Sequence, residues 1–317
     1  MSTKATIVFL LKAVLTIAPF VWIYAQTNIH DVLRIVKTVP VHLLFLVIFF
    51  SFLIHLSQGV KWWFLLRRFN SQIPLRETLK VHLLGSFYSI AFPTSAAQDL
   101  LRAALLSRSH PGSQAWASSW MSRFIGLFAL LVLSTWGTAM LDSTILPPGF
   151  RSSLFTVFAM VAFIGAISFS KKITRPVRKV VSKVISPKPL SFIENIREGV
   201  YAYKSSYSTL LGSFFISAAI HLLIIANTTF LIYIITGNFF FLECLAFIPL
   251  IEILSISLPL TPGGIGVREA LIAIMFRQLE LGPDHLGSYV LISLLCYFLP
   301  KVTGSLLLIP HILRRKQ

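Results

Sequence analysis

Apolar residues run along this chain in blocks of helix length, separated by short polar and basic connectors. A helix needs about 20 residues to cross roughly 30 Å of hydrocarbon. Blocks at 7–25, 41–60, 115–141, 153–169, 210–235 and 286–310 meet or approach that length and read as full spans. The first block also fits a signal peptide ending at Ala25, but it is long for the apolar region of a leader and reads as a first helix. Residues 26–40 read as a polar connector, and Leu146-Pro147-Pro148-Gly149 as a turn between two spans.

Two further blocks are broken. Residues 81–92 are too short to cross and stop at Pro93; a second short limb follows at 95–106. Residues 239–258 and 262–276 form another such pair, interrupted by Pro259, Pro262, Gly263, Gly264 and Gly266. Each pair reads as a re-entrant helical hairpin. About six full spans and two hairpins place both termini in the cytoplasm. The basic clusters then fall on one side. K-W-W-F-L-L-R-R at 61–68 reads as an interfacial anchor, and 171–188 carries seven basic residues and no acidic one. That segment, part of a basic cytoplasmic loop at 171–205, reads either as an amphipathic helix on an anionic leaflet or as a plain positive-inside loop. Arg314-Arg315-Lys316 marks the C-terminus as cytoplasmic.

Composition agrees with the pattern. The chain is 56% hydrophobic and 12% charged, with a mean hydropathy of +0.80, whereas soluble domains carry about 25% charged residues. The class is an all-α integral membrane protein with a single transmembrane domain over 1–317. Lys and Arg number 28 against 11 acidic residues, but they lie mainly between apolar blocks, so they signal topology and not nucleic acid. Cys244 and Cys296 lack C-x-x-C spacing, which supports neither a disulfide framework nor a metal site.

The two broken segments match at an offset of 166: Ser89 with Ser255, Pro93 with Pro259, Ser95 with Thr261, and Arg102 with Arg268. Three crossings lie between them, so they enter from opposite faces. This is the inverted-repeat plan of many transporters, with repeats at about 41–141 and 207–310 and the helices at 7–25 and 153–169 outside them. Ser95-Ala96-Ala97-Gln98 has capping-box form and starts a helix at Ala96. Thr261 reads as the N-cap of the second helix, with Pro262 first inside it. Each arginine then falls two turns after its cap. Free helix N–H groups, close backbone approach at Gly263, Gly264 and Gly266, and Arg102 or Arg268 together describe an anion site. The plainer reading has the glycines packing helices and each arginine neutralising an acid, as Asp99 does for Arg102 at i, i+3.

The remaining intramembrane polar groups extend this set. Glu252 reads as a partner of Arg268 or a proton carrier. Glu269 lies on another helical face and bonds back to the broken backbone. Arg123 and Lys301 face the interior or snorkel, and His55 and His221 read as satisfied helix-interface residues.

P-L-T-P-G-G-I-G-V-R-E at 259–269 resembles the P-x-x-G-G-[I/L]-G-x-R-E signature of the lysylphosphatidylglycerol synthase transmembrane-region family, the flippase-like domain proteins. P-T-S-A-A-Q-D-L-L-R at 93–102 is similar to that family's Pro…Gly-Asp-x-x-Arg segment, with Gln98 where the family often has glycine. The resemblance implies movement of anionic or modified lipids between leaflets, in the translocating half without the soluble synthase. The leading expectation is a translocase or secondary transporter in the cell (inner) membrane for an anionic amphipathic lipid, a phospholipid or a polyprenyl-phosphate-linked molecule. Arg102, Arg268, Ser95, Thr261 and the three glycines bind it; Asp99, Glu252 and Glu269 serve as coupling or charge partners. No catalytic residue, metal or cofactor is assigned, and no nucleic acid partner; a homo-oligomer or an envelope-lipid enzyme as partner stays open. The alternatives are a membrane-embedded transferase acting on lipid head groups and a non-transporting scaffold for an envelope-lipid enzyme. Absence of H-E-x-x-H, G-x-S-x-G and a metal-spaced acid cluster weighs against the transferase, and absence of G-x-x-x-x-G-K-[ST] leaves a gradient, or no energy source, to drive movement.

Overall fold

The computed structural model describes residues 3–69, 72–92, 96–142, 144–169, 187–257, 261 and 264–308, without the side chains of 3–12, 166–169, 187–193, 195 and 256–257. Pro93, Ser95, Pro259, Pro262, Gly263, most of the basic segment (171–186) and the arginines at 314 and 315 lie outside the described residues. The described helices are α1 (Thr3–Ala25), α2 (Ile29–Thr38), α3 (Val41–Leu66), α4 (Leu75–Ser89), α5 (Ala97–Leu106), α6 (Gly112–Met140), α7 (Phe150–Phe169), α8 (Pro187–Ala202), α9 (Tyr207–Thr236), α10 (Phe241–Ser257), α11 (Val267–Gln278) and α12 (Pro283–Val302). Among the described residues, four stretches are long and apolar enough to cross a membrane: Val41–Phe69, Gly112–Met140, Tyr207–Thr236 and Pro283–Leu308. Ala13–Ala25 and Phe150–Gly165 are shorter apolar helices.

The long helices are apolar on the outside and polar within. On α3, Val41, Phe45, Phe49, Leu53, Leu56 and Val60 are exposed at helical spacing, while His55, Lys61 and Trp62 are buried. On α6, Trp120, Phe128, Val132, Trp136 and Met140 form the exposed stripe, and Ser118, Ser119, Ser122 and Ser134 face inward. A bilayer reverses the soluble rule, since exposed surface meets lipid and polar groups must find partners inside. Two expectations are corrected here. Lys61 and Trp62 belong to the protein interior, at 7% and 0% exposure, so the 61–68 anchor begins after them. The connector at 26–40 holds a helix of its own, α2, which Asn28 caps at His30 N–H and which docks on α12. That docking uses Asn28 N–H to Asp284 at 2.9 Å and Ser288 Oγ to the Val32 carbonyl at 3.3 Å.

Helix α6 is the hub, packed on α3, α5, α7, α8, α9 and α10. Element order repeats across the chain: a long helix, two short ones, then a long one, in α3–α6 and again in α9–α12. Helices α3 and α9 begin at 41 and 207, and α4 and α10 at 75 and 241, each pair 166 residues apart. Packing follows the same correspondence. The pairs α3–α4, α4–α5, α5–α6 and α3–α6 recur as α9–α10, α10–α11, α11–α12 and α9–α12. The two first helices pack on each other and run antiparallel. Asn227 meets Val47 and Ser51 toward one end, and Gly212 meets Phe64 toward the other. The first short pair also doubles back: Glu77 meets His110 where α4 begins, and Gly85 meets Arg102 further in.

Close approach between the halves depends on glycine. A Cβ on Gly137 in α6 would stand 2.5 Å from Ala246 N and 2.6 Å from the Leu245 carbonyl carbon of α10. Gly304, just past α12, lies against Leu83 and Phe87 of α4 in the corresponding place. Gly137→Ala therefore forces two backbones apart and should lower the thermal midpoint, at a cost of about 1–3 kcal/mol. Gly112→Ala, whose added carbon meets Ser107 at an ordinary 3.5 Å, should be neutral or slightly stabilising. Equal melting of the two variants in detergent would contradict this packing.

Candidate functional site: two charged cavities between the half-repeats

Among the described residues, two adjoining cavities open between the helices. The larger, of about 290 Å³, lies among α3, α9, α10, α11 and α12 and is lined by Glu252, Arg268 and Lys301, with Asn227, Tyr289 and Tyr297. The smaller, of about 170 Å³, lies among α3, α5, α6 and α9 and is lined by Lys61, Asp99, Arg102 and Arg123, with Ser122 and His221. Gln58 and Gln98 line both. The cavities thus adjoin across two glutamine side chains, one from α3 and one from the first turn of α5.

Arg102, the sixth residue of α5, is 4% exposed. Its Nη2 lies 2.8 Å from Asp99 Oδ1, its Nε donates to Ser119 Oγ at 3.2 Å, and its guanidinium sits 4.7 Å over the Trp62 ring. Trp62 is itself fixed by its Nε1 donating to Ser118 Oγ at 3.0 Å. Asp99 is shared, because its other oxygen accepts from Arg123 Nη1 at 2.8 Å. The i, i+3 pairing expected of Asp99 and Arg102 is present. Lys61 Nζ donates to the Ser122 carbonyl at 3.1 Å.

The second break is built differently from its expected form. Helix α11 starts at Val267 with Gly266 as N-cap. Thr261 lies five residues earlier, and its buried Oγ1 has no hydrogen-bond partner among the described residues. The cap is instead supplied from inside the helix: Glu269 Oε2 accepts from Gly266 N–H at 2.6 Å. Glu269 does bond back to the broken backbone, and so takes one N–H that an anion would have used. Gly264 and Gly266 hold φ of 80° and 92°. Cβ atoms there would meet the Ser255 carbonyl at 3.0 Å and the Thr16 carbonyl of α1 at 2.7 Å. Arg268 is consequently the second residue of α11, not two turns inside, and it lines the cavity from the helix mouth. At the first break α5 starts at Ala97, and its N-cap Ala96 has no side-chain cap.

Charge pairing also departs from expectation. Glu252 forms no ion pair within 4.0 Å among the described residues; the carboxylate nearest Arg268 is Glu269, at 3.7 Å. A short reach explains this, since Glu269 is adjacent in sequence and already held by Gly266. Lys301 lies 3.7 Å over the Tyr297 ring. The histidines are not satisfied. His55 Nε2 and both ring nitrogens of His221 are buried without a partner among the described residues. The His55 and His82 rings lie tilted at 41° with centroids 4.8 Å apart, and His82 Nε2 reaches the His55 carbonyl at 3.1 Å and Gln98 at 3.4 Å.

Residues 55 and 221 are also 166 apart, and they cross over. His55 lines the cavity that holds Arg268, and His221 the one that holds Arg102. Each cavity therefore combines the arginine of one half with the histidine of the other. The offset read from the breaks already contained this pairing. Gln58 was not singled out by sequence; Lys61 was read as part of the interfacial anchor and Gln98 as the end of a capping box, and neither as a residue lining a cavity. Among the described residues no group of three or more His, Cys, Asp or Glu is arranged to hold a metal ion.

The family model described as the lysylphosphatidylglycerol synthase TM region matches residues 9–304. The chain belongs to this family. No curated protein matches it. In this member of the synthase transmembrane-region family, the adjacent Arg and Glu of the second motif have separate duties: Arg268 faces the cavity and Glu269 closes the helix start. Glu269→Ala should therefore lower thermal stability by about 1–3 kcal/mol, through the uncovered N–H and the loss of the carboxylate beside Arg268. Glu252→Gln should lower it by less. The reverse order in detergent melting curves would show that Glu269 is not the structural cap.

Proposed function

We propose that this chain is a lipid translocase that moves an anionic amphipathic lipid between leaflets of the cell membrane, without catalysing a covalent change. The observation that carries the reading is the pair of adjoining cavities, each lined by one hairpin arginine and enclosed by helices that present apolar faces outward. A charged head group inside hydrocarbon needs such a path, because a single charged side chain at mid-membrane costs about 2.5–3.5 kcal/mol even on the milder scales. Membership of a membrane-domain family named for a lipid synthase agrees with this substrate class.

In this reading the six-span topology holds, with both termini cytoplasmic, and α3–α6 and α9–α12 form the inverted repeat. Their matched order and the antiparallel course of α3 and α9 support the inversion. The smaller cavity receives the head group from one leaflet through Lys61, Arg102 and Arg123. The larger receives it from the other through Arg268 and Lys301, while acyl or prenyl chains stay in lipid. Gln58 and Gln98 stand between the two stations. Rocking of one half against the other exposes them alternately. Asp99 and Glu252 keep each arginine from holding the phosphate too tightly, so that release competes with binding.

Reconstitution into liposomes with a fluorescent anionic lipid in one leaflet tests this. Translocation should be measurable, and Arg102→Ala and Arg268→Ala should each slow it by about tenfold or more, the worth of one charge-assisted hydrogen bond. Unchanged transport in both variants would remove the arginines from the path. Formation of a new lipid species in place of movement would favour the transferase.

A further inference from the structure

Residues 61 and 227 are a further pair 166 apart, so Asn227 of α9 stands in its half where Lys61 of α3 stands in the other. Lys61 lines the smaller cavity and Asn227 the larger. A lysine only donates hydrogen bonds, whereas a carboxamide also accepts them. The orientation of the Asn227 amide follows from its neighbours. Its Nδ2 lies 3.3 Å from the Val47 carbonyl oxygen and 3.2 Å from Ser51 Oγ. The carbonyl only accepts, and Ser51 gives its own hydrogen to that same carbonyl at 2.9 Å. Both contacts therefore use the amide hydrogens, which ties α9 to α3 and leaves Oδ1 over. That oxygen is buried and has no hydrogen-bond partner among the described residues. His55 Nε2, on the wall of the same cavity, is equally buried and unpartnered. A buried polar atom without a partner bears the full cost of its lost hydration. Two of them beside one cavity point to a ligand that completes them.

We infer that the larger cavity takes a hydroxyl-bearing head group, a polyol or a sugar joined to the phosphate, with Asn227 Oδ1 accepting from one of its hydroxyls. A phosphodiester has no hydrogen to give, so phosphate alone can meet Arg268 but not Asn227. A hydroxyl both donates and accepts. It therefore suits a wall that sets the Asn227 acceptor beside the carboxamides of Gln58 and Gln98 and the hydroxyls of Thr228 and Ser293. It also answers His55 Nε2 whichever ring nitrogen carries the proton. An ammonium only donates, and so completes Asn227 while offering nothing to a donor on the same wall. The cavity, of about 290 Å³, is near the lower end of ligand pockets, which fits a head group whose chains stay in lipid. A site that hydrogen-bonds a substrate hydroxyl rejects the analogue lacking it, because its buried polar atoms are then left unpaired. Asn227 is thus the specificity-determining residue of this station.

This inference deepens the translocase reading and rests on it for the lipid source, but its test is binding, so the two can fail separately. Purified full-length protein in detergent is titrated with phosphatidylinositol, phosphatidylglycerol, phosphatidylmethanol and phosphatidylethanolamine, and with the deacylated, water-soluble forms of the first two, following thermal stabilisation. The first three lipids carry the same single phosphodiester charge, and phosphatidylmethanol lacks the head-group hydroxyls. At least one of the two hydroxyl lipids should bind about fivefold or more tightly than phosphatidylmethanol, a difference of about 1 kcal/mol. Phosphatidylethanolamine should bind more weakly than that lipid. Asn227→Leu should bring the ratio to about one and Asn227→Gln should restore part of it, while Arg34→Gln, on an exposed surface of α2, should leave it intact. Loss of the tie to α3 alone would lower the melting point without moving the ratio. Should Asn227→Leu fail to fold, His55→Phe, which keeps a ring beside His82, should still reduce the ratio. Neither hydroxyl lipid exceeding phosphatidylmethanol, phosphatidylethanolamine matching them, or an undiminished ratio in Asn227→Leu overturns the inference. A deacylated form binding as tightly as its lipid would keep the hydroxyl site and assign it to a soluble polyol phosphate. Preference for a hydroxyl lipid without any translocation in liposomes would sink the translocase and spare the site.

Discussion

A helix that stops inside hydrocarbon leaves backbone donors and side-chain charges that only the protein itself can answer. The architecture around α4–α5 and α10–α11 follows from that requirement. At the second break, the answer comes from Glu269, which closes Gly266 N–H from within its own helix. Positive φ at Gly264 and Gly266 bends the chain back, and the lack of a Cβ lets α11 seat against α1. At the first break the charges answer one another, with Asp99 set between Arg102 and Arg123 and the Arg102 guanidinium resting on a pinned Trp62. Both solutions leave an arginine at a cavity wall. Structure and proposed chemistry are therefore one arrangement, because the groups that make a broken helix tolerable also make it able to bind an anion.

Two-fold similarity between the halves is preserved in backbone and relaxed in side chains. Helix starts, packing partners and the close glycine contacts of Gly137 and Gly304 correspond. The crossed placement of His55 with Arg268, and of His221 with Arg102, is what a symmetry operation between α3 and α9 would generate. Lysine placement does not obey it: Lys61 comes from a first helix and Lys301 from a last one.

Much of the fold was legible because apolar block length and the Pro-Gly breaks report directly on membrane crossing. The offset of 166 was readable from Pro93 and Pro259, and the observed starts of α3 and α9 at 41 and 207 keep it, although the second of these spans was read as beginning at 210. Interior chemistry was less legible. Lys61 and Trp62 sit in a basic-aromatic run that looks interfacial, and only the rotation of α3, with Val60 outward and Lys61 inward, moves them inside. Thr261 and Pro262 have the residue types of a helix start, yet positive φ at two following glycines delays the helix to Val267. Local propensity lost there to the turn that packing on α1 demands. Glu252 lines the same cavity as Arg268, yet the ion pair within 4.0 Å is made by Glu269, because a neighbour one residue away needs less reach than one on another helix.

Opposite entry of the two hairpins is the claim on which the two-station path depends. Single cysteines at Arg108, in the turn after α5, and at Gly282, before α12, test it most directly in a background lacking Cys244 and Cys296. In right-side-out vesicles a membrane-impermeant maleimide should label the Gly282 position, and the Arg108 position only after the vesicles are opened. Labelling of both from the same side would contradict the inverted arrangement and the alternating path with it.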